Sequence, residues 1–269
     1  MEFDANYTVP KMIKNTAETY PEVYAQYKRL PNNEFEPITY RDMFQIALDF
    51  AAALVSVGVK KEDKIGIISD NRAEWQQADI GIMAIGAIDV PRGCDATIID
   101  LEKILSITEA ELVIAENNSQ VKKILSIKEK LPNLKKFICF ENDLKPETLE
   151  LAKSNNVEVV LFSEMLKVGQ KWRIENKGKV EEILEAGTSE DVATIIFTSG
   201  TTGDPKGVVL THNNFLAQLD ELPERIFVNP GDKALSVLPI WHVFEREVEY
   251  VIMIQAGTIC YSKPVGSIL

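Results

Sequence analysis

Apolar residues along this chain switch repeatedly between a helical spacing and short continuous runs. Phe44, Ala47, Leu48, Ala51, Leu54 and Val55 follow the i, i+3, i+4, i+7 rule of an amphipathic helix. Thr39-Tyr40-Arg41-Asp42 offers a capping box at its start, and Gly58 sits where it should stop. The run Lys64-Ile65-Gly66-Ile67-Ile68 then reads as a buried strand, 73–85 as a helix and 87–91 as another strand. Strand-like runs follow at 111–115, 136–140 and 157–162, each separated from the next by helix-compatible sequence. Strands alternating with helices predict an α/β fold with mostly parallel sheets covered by helices.

The pentapeptide Lys-Ile-Leu-Ser-Ile occurs at 103–107 and again at 123–127; two copies without wider similarity mean chance or parallel αβ units, not a repeat protein. Polar sequence over 171–191 reads as a surface connection with a short helix at 180–186. Beyond it come strands at 192–197 and 208–210, and a helix that Thr211-His212-Asn213-Asn214 can cap and that runs toward Leu222. A strand at 235–238, a helix at 245–255 stopped by Gly257, and a strand at 258–261 complete the pattern. The expected organisation is a first αβ subdomain over about 39–170 and the start of a second over about 190–269. Leu269 follows a strand with no closing helix or polar tail, which reads as a cut through a continuing fold.

Charge narrows the function classes. Asp and Glu outnumber Lys and Arg 41 to 29, a net charge of −12, which opposes binding to nucleic acid. Cys94, Cys139 and Cys260 show neither CxxC spacing nor an even count, so a disulfide framework is not expected. The first ten residues lack the apolar core of a signal peptide, and the most apolar run, 80–90, is too short to span a bilayer. A cytoplasmic protein is the expectation.

The chemistry concentrates in Thr198-Ser199-Gly200-Thr201-Thr202-Gly203-Asp204-Pro205-Lys206-Gly207. Seven of these ten residues are glycine or carry a hydroxyl. Glycines let backbone N–H groups approach a ligand, the hydroxyls add short donors, and Lys206 adds a positive charge. Converging donors without bulk suit a polyphosphate. The spacing is neither the Walker A pattern nor the kinase Gly-x-Gly-x-x-Gly.

Read with Val208-Val209-Leu210-Thr211-His212, the loop from Phe197 closely resembles the signature of the adenylate-forming superfamily of acyl-CoA synthetases, luciferases and peptide-synthetase adenylation domains. Leu238-Pro239-Ile240-Trp241-His242-Val243-Phe244-Glu245-Arg246 resembles the next superfamily motif in its long-chain fatty acid–CoA ligase form. Asn71-Arg72-Ala73-Glu74-Trp75 and Val90-Pro91-Arg92-Gly93 are similar to segments of that subfamily.

The resemblance implies the N-terminal portion of the adenylate-forming fold, spanning 1–269 and incomplete before the C-terminal lid domain. It implies a fatty carboxylate activated with Mg·ATP to an acyl-adenylate, then passed to coenzyme A. By match to the motif, Thr198, Ser199, Gly200, Thr201, Thr202, Gly203 and Lys206 hold the phosphates, and Thr198 approaches Mg2+. His242 is placed as the catalytic residue where carboxylate meets ATP, with a bare helix-start histidine as the alternative; Trp241 and Phe244 are placed at the acyl channel. His212 reads as a capping or packing residue, and Glu245, Glu247 and Glu249 as a charge cluster favouring a helix N-terminus. Arg246 stands where some shorter acyl synthetases carry a gating tryptophan.

The family's later Tyr-Gly-x-Thr-Glu segment, ribose-binding aspartate and mobile-domain lysine are not in this sequence, so the 269-residue polypeptide alone is expected not to turn over. Two other classes stay open: a non-catalytic acyl- or nucleotide-binding half-protein, and a phosphoryl-transfer NTPase, which Leu238-Pro239 at the end of its strand argues against. The remaining expectations are small-molecule partners, a homodimer, and a weak peripheral membrane contact through the fatty substrate.

Overall fold

A computed structural model describes residues 5–30, 32–198 and 205–262. In chain order the elements are α1 (Val9–Thr19), β1 (Tyr24–Arg29), β2 (Phe35–Thr39), α2 (Tyr40–Ser56), β3 (Lys64–Ile68), α3 (Ala73–Ala84), β4 (Ile88–Arg92), α4 (Ile98–Ile107), β5 (Leu112–Ala115) and α5 (Asn118–Leu125). They continue with β6 (Lys136–Cys139), α6 (Pro146–Ser154), β7 (Glu158–Leu161), α7 (Phe162–Glu175), α8 (Lys179–Glu185), β8 (Val192–Thr198), β9 (Lys206–Thr211), α9 (His212–Glu221), β10 (Lys233–Ser236), α10 (Val243–Ile254) and β11 (Thr258–Tyr261). No described helix is long and apolar enough to cross a membrane.

Seven strands form one sheet in the order β7-β6-β5-β3-β4-β8-β9, parallel throughout except for the β8–β9 hairpin. The period of two along its central strands assigns each face its own core. Ile65 and Ile67 of β3, Leu112 and Ile114 of β5 and Ile138 of β6 join one core, with α2, α3 and α7. Ile68, Val113, Ala115 and Phe137 point the other way, into a core shared with α4 and α5. Both copies of the repeated pentapeptide begin within these two outer helices, as parallel αβ units require.

A second sheet, β10-β11-β1-β2, pairs the chain's first strand in parallel with its last. Chain order and sheet membership are therefore interleaved. The strands at 192–211 belong to the first sheet, and those at 24–39 close the second.

Thr39 caps α2, accepting from the Asp42 N–H at 3.1 Å, and Thr211 and Asn214 form a capping box on α9. The polar stretch 171–191 is less of a surface connection than its composition suggests. α7 runs into it and packs against α2, so closely that a Cβ on Gly169 would lie 1.7 Å from the Asp49 carbonyl oxygen. Arg173 at the end of α7 donates to Asp49 at 2.6 Å and to Glu181 at 2.9 Å. Two charged side chains are thus committed to packing one helix on another, which composition alone cannot reveal.

Candidate active site

β8 is a buried strand whose last residue, Thr198, emerges into solvent. Lys206, the first residue of β9, is its partner across the antiparallel pair, and it too is exposed. The hairpin therefore sets a hydroxyl and an ammonium side by side at the base of the loop. Gly207 lies opposite Phe197, where a Cβ would come within 2.9 Å of Ile195 Cγ2; here glycine allows close strand packing. Ser199, Gly200, Thr201, Thr202 and Gly203 lie outside the described residues.

The second motif turns sharply between β10 and α10. His242 is the N-cap of α10, its Nδ1 accepting from the Phe244 N–H at 3.3 Å, and its own N–H donates to the Pro239 carbonyl at 2.9 Å. His242 and Phe244 are exposed, and Trp241 is half-buried. A helix-start histidine and an exposed one are here the same residue; its Nε2 is the ring atom left to face a ligand.

The two shorter motif segments hold this turn. Asn71 accepts from the Ile240 N–H at 2.9 Å and donates to the Leu238 carbonyl at 2.6 Å and to Ser236 Oγ at 2.7 Å. Arg92, at the end of β4, lies over the Trp241 ring with its guanidinium carbon 4.8 Å from the centroid. Gly93 leaves the space for that ring, since a Cβ there would lie 2.2 Å from Trp241 Nε1. These segments, 167 residues apart at Asn71 and Leu238, thus meet at the carboxyl ends of the parallel strands, where open α/β sheets place ligands.

Behind the turn lies a buried polar core. Arg246 is fully buried, not at a channel mouth. It makes a two-pronged pair with Asp89 at 2.8 and 3.1 Å, bonds Asp79, and donates from Nε to the Tyr250 hydroxyl at 2.8 Å. Asp89 in turn accepts from Thr194 Oγ1 of β8 at 3.0 Å. One carboxylate therefore joins the strand that carries the phosphate loop to the helix that carries His242.

Of the acidic cluster, Glu245 lies in the first turn of α10 as expected, whereas Glu249 stands beyond that turn and is held by other elements. Glu245 accepts from the Val237 N–H at 3.0 Å, and Glu249 accepts from Ser236 at 2.7 Å, Gln76 at 2.8 Å and Tyr261 at 2.9 Å. Both are buried because α10 turns this face toward the second sheet, and burial pushes the Glu249 carboxyl up to about 8. His212 is remote from the turn: its buried Nδ1 accepts from the Val9 N–H at 3.4 Å, and burial lowers its pKa to about 4.

Sequence reasoning quoted Asn71 and Arg92 without giving either a role, and took Asp89 only as a charge that breaks the apolar run 80–90; a buried Asp in such a run was the available signal. Cys94, expected to be a buried or incidental thiol, lies with Asp70 and Glu116. Those carboxylates are already occupied by the Cys94, Ser69 and Asp70 donors that close the strand ends.

A family model described as AMP-binding enzyme matches residues 13–267. The chain belongs to the AMP-binding enzyme family. Among curated AMP-binding relatives, it is 32% identical over 250 residues to the long-chain-fatty-acid–[acyl-carrier-protein] ligase AEE15 of Arabidopsis thaliana, covering 91% of this chain and 33% of that protein. It is 31% identical over 242 residues to fatty acyl-CoA synthetase A of Dictyostelium discoideum, covering 88% of this chain and 34% of that one. The chain thus spans about a third of these relatives' length. The fold agrees with the adenylation domain of a Mycobacterium chelonae carboxylate reductase (TM-score 0.77, 17% identity, 96% of this chain and 43% of that one). It agrees likewise with the N-terminal domain of FACL13 from Mycobacterium tuberculosis (TM-score 0.73, 23% identity, 96% and 57%).

Proposed function

We propose that this chain forms the phosphate-loop and acyl-gate portion of an AMP-forming acid–thiol ligase whose acid is a long-chain fatty carboxylate. The observation that supports it is the convergence just described, in which Asn71 and Arg92 hold the Trp241–His242 turn while Asp89 ties that turn's helix to the loop's strand.

In the first half-reaction a carboxylate oxygen attacks the α-phosphorus of ATP, and the bond to pyrophosphate breaks. In the second, the thiol sulfur attacks the acyl carbon, AMP leaves with the bonding pair, and the thiol proton passes to solvent. The demand in the first step is to bring two anions together, so preorganised donors and charges matter most. Thr198 and Lys206 face solvent at the loop base, which fits a polyphosphate lying across the hairpin end. Magnesium, when bound with ATP, would neutralise phosphate charge, with the Thr198 hydroxyl as its ligand from this chain. His242 presents Nε2 to the reacting carboxylate, with Trp241 and Phe244 at the entry of the acyl chain. The acceptor is read as coenzyme A, with a carrier-protein thiol the competing acceptor, since one relative is named for that substrate.

The test is fatty-acid-dependent ATP–pyrophosphate exchange, measured for this polypeptide and for one extended past Leu269. The extended form should exchange, the short form should not, and Lys206→Ala should lower exchange about 100-fold or more, as removal of one transition-state donor does. An extended protein silent on every fatty acid would sink the ligase reading. Exchange unchanged by Lys206→Ala would remove the loop from the mechanism.

A further inference from the structure

The guanidinium of Arg92 has an unusual setting. Arg72, Arg173 and Arg246 each pair with carboxylates, Arg72 with Glu74 at 2.9 Å, Arg173 with Asp49 at 2.6 Å and Arg246 with Asp89 at 2.8 Å. Arg92 is set differently: its guanidinium carbon lies 4.8 Å from the Trp241 ring centroid, and its Nε is buried with no hydrogen-bond partner among the described residues. A half-buried guanidinium over an indole keeps its fork of donors, yet its surroundings supply no counter-ion through Nε. Such a group is prepared for an anion that arrives from outside.

Its position says which anion. β4 runs parallel beside β8 with Asp89 opposite Thr194; carried three residues on, that register sets Arg92 level with Phe197, the residue before Thr198. Trp241, on which it stacks, immediately precedes His242. We infer that Arg92 is a substrate-binding residue that receives an anionic oxygen pair beside the Trp241–His242 turn: the fatty carboxylate or a phosphate of the nucleotide. The inference rests on the ligase reading for the identity of these ligands, but the anion site itself does not. The stack explains why tryptophan and glycine flank the arginine in space. The ring lies against the guanidinium, and Gly93 leaves room for the ring.

The test separates the two sources and the two readings. Pyrophosphate, decanoate and decanol are titrated separately into the 269-residue protein, with binding read by calorimetry and by tryptophan fluorescence, for wild type, Arg92→Lys and Arg92→Met. Weakening of decanoate binding about 10-fold or more in Arg92→Met, with decanol unaffected, assigns the carboxylate. The same loss for pyrophosphate assigns the phosphate. Arg92→Lys should fall between, because it keeps the charge and loses the planar fork. Equal binding of both anions by wild type and Arg92→Met, or binding of neither anion by wild type, overturns the proposal. A melting curve for each variant confirms that the comparison is between folded proteins. Anion binding that depends on Arg92, in a protein whose extended form shows no exchange, would leave the anion site standing and sink the ligase reading alone.

Discussion

At the scale of single residues, the site is held by contacts that a side-chain inventory does not show. Gly93 does its work by lacking a Cβ: the position such an atom would take is 2.2 Å from Trp241 Nε1 and 2.7 Å from Asp95 Oδ1. A rigid indole cannot yield by rotating a terminal methyl, so Gly93→Ala should expel Trp241 from its seat on Arg92, at an overpacking cost of about 1–3 kcal/mol. Tryptophan emission should shift to the red as the ring meets water. In a Trp241→Phe background the same alanine should leave the spectrum unmoved. A Gly93→Ala protein with wild-type emission would show that the ring is not wedged there. His212 makes the opposite point: a histidine adjoining a phosphate-loop signature is held buried by the start of α1 and belongs to packing.

At the scale of elements, the strength of the design lies in how β4, β8, α3 and α10 share one buried cation. Arg246 bonds Asp89 and Asp79, Tyr250 donates to Asp79 at 2.5 Å, and Thr194 meets Asp89 at 3.0 Å. Removing one partner from such a cluster leaves a charge uncompensated, whereas removing all of them together need not. Asp89→Asn should therefore cost about 3–5 kcal/mol in chemical denaturation. A triple variant, Asp79→Asn with Asp89→Asn and Arg246→Met, should recover much of that loss. A triple variant as unstable as the sum of its single changes would mean that the residues act independently.

The central elements were legible because parallel strands buried on both faces must be apolar runs, and 64–68, 111–115 and 192–197 are such runs. The first 38 residues carried no comparable signal. β2 is an edge strand with Phe35, Glu36 and Pro37 all exposed, and β1 buries only Ala25 and Gln26 fully, so neither shows an alternation strong enough to read. The glutamates of α10 were legible as a helix start but not as buried groups: only the second sheet, whose first strand comes from the opposite end of the chain, puts Glu249 inside. The loop was legible as chemistry from its donors; the clasp by Asn71 was not, because a contact over 167 residues leaves no local pattern.

At the scale of the whole molecule, that same glutamate ties the second sheet to α3, the helix between β3 and β4 of the first sheet. Glu249 of α10 accepts from Ser236 of β10, Tyr261 of β11 and Gln76 of α3, and Gln76 accepts from Gln26 of β1 at 2.7 Å. Burial raises the Glu249 carboxyl from 4.5 to about 8, Glu247 likewise to about 8, and Asp79 to about 7 despite its arginine. At neutral pH the unfolded chain has lost all three protons, while the folded chain retains those of Glu249 and Glu247 and holds Asp79 near its midpoint. By linkage the stabilisation is fully present below about pH 4.5 and is lost as pH rises through the folded value, at about 1.4 kcal/mol per pH unit for each such proton. His212 runs the other way: its folded value is near 4 against an ordinary 6.5, so its contribution rises with pH up to 6.5 and is constant above. The window from pH 6.5 to 8 therefore isolates the buried acids. Stability measured by denaturant there should fall with pH in the wild type. Glu249→Gln, which carries no titrating proton in either state, should flatten the slope by up to one proton's worth. A variant with the wild-type slope would mean that Glu249 is ionised in the folded protein. The tie between the second sheet and α3 would then be an anion held by three donors, not a shared proton.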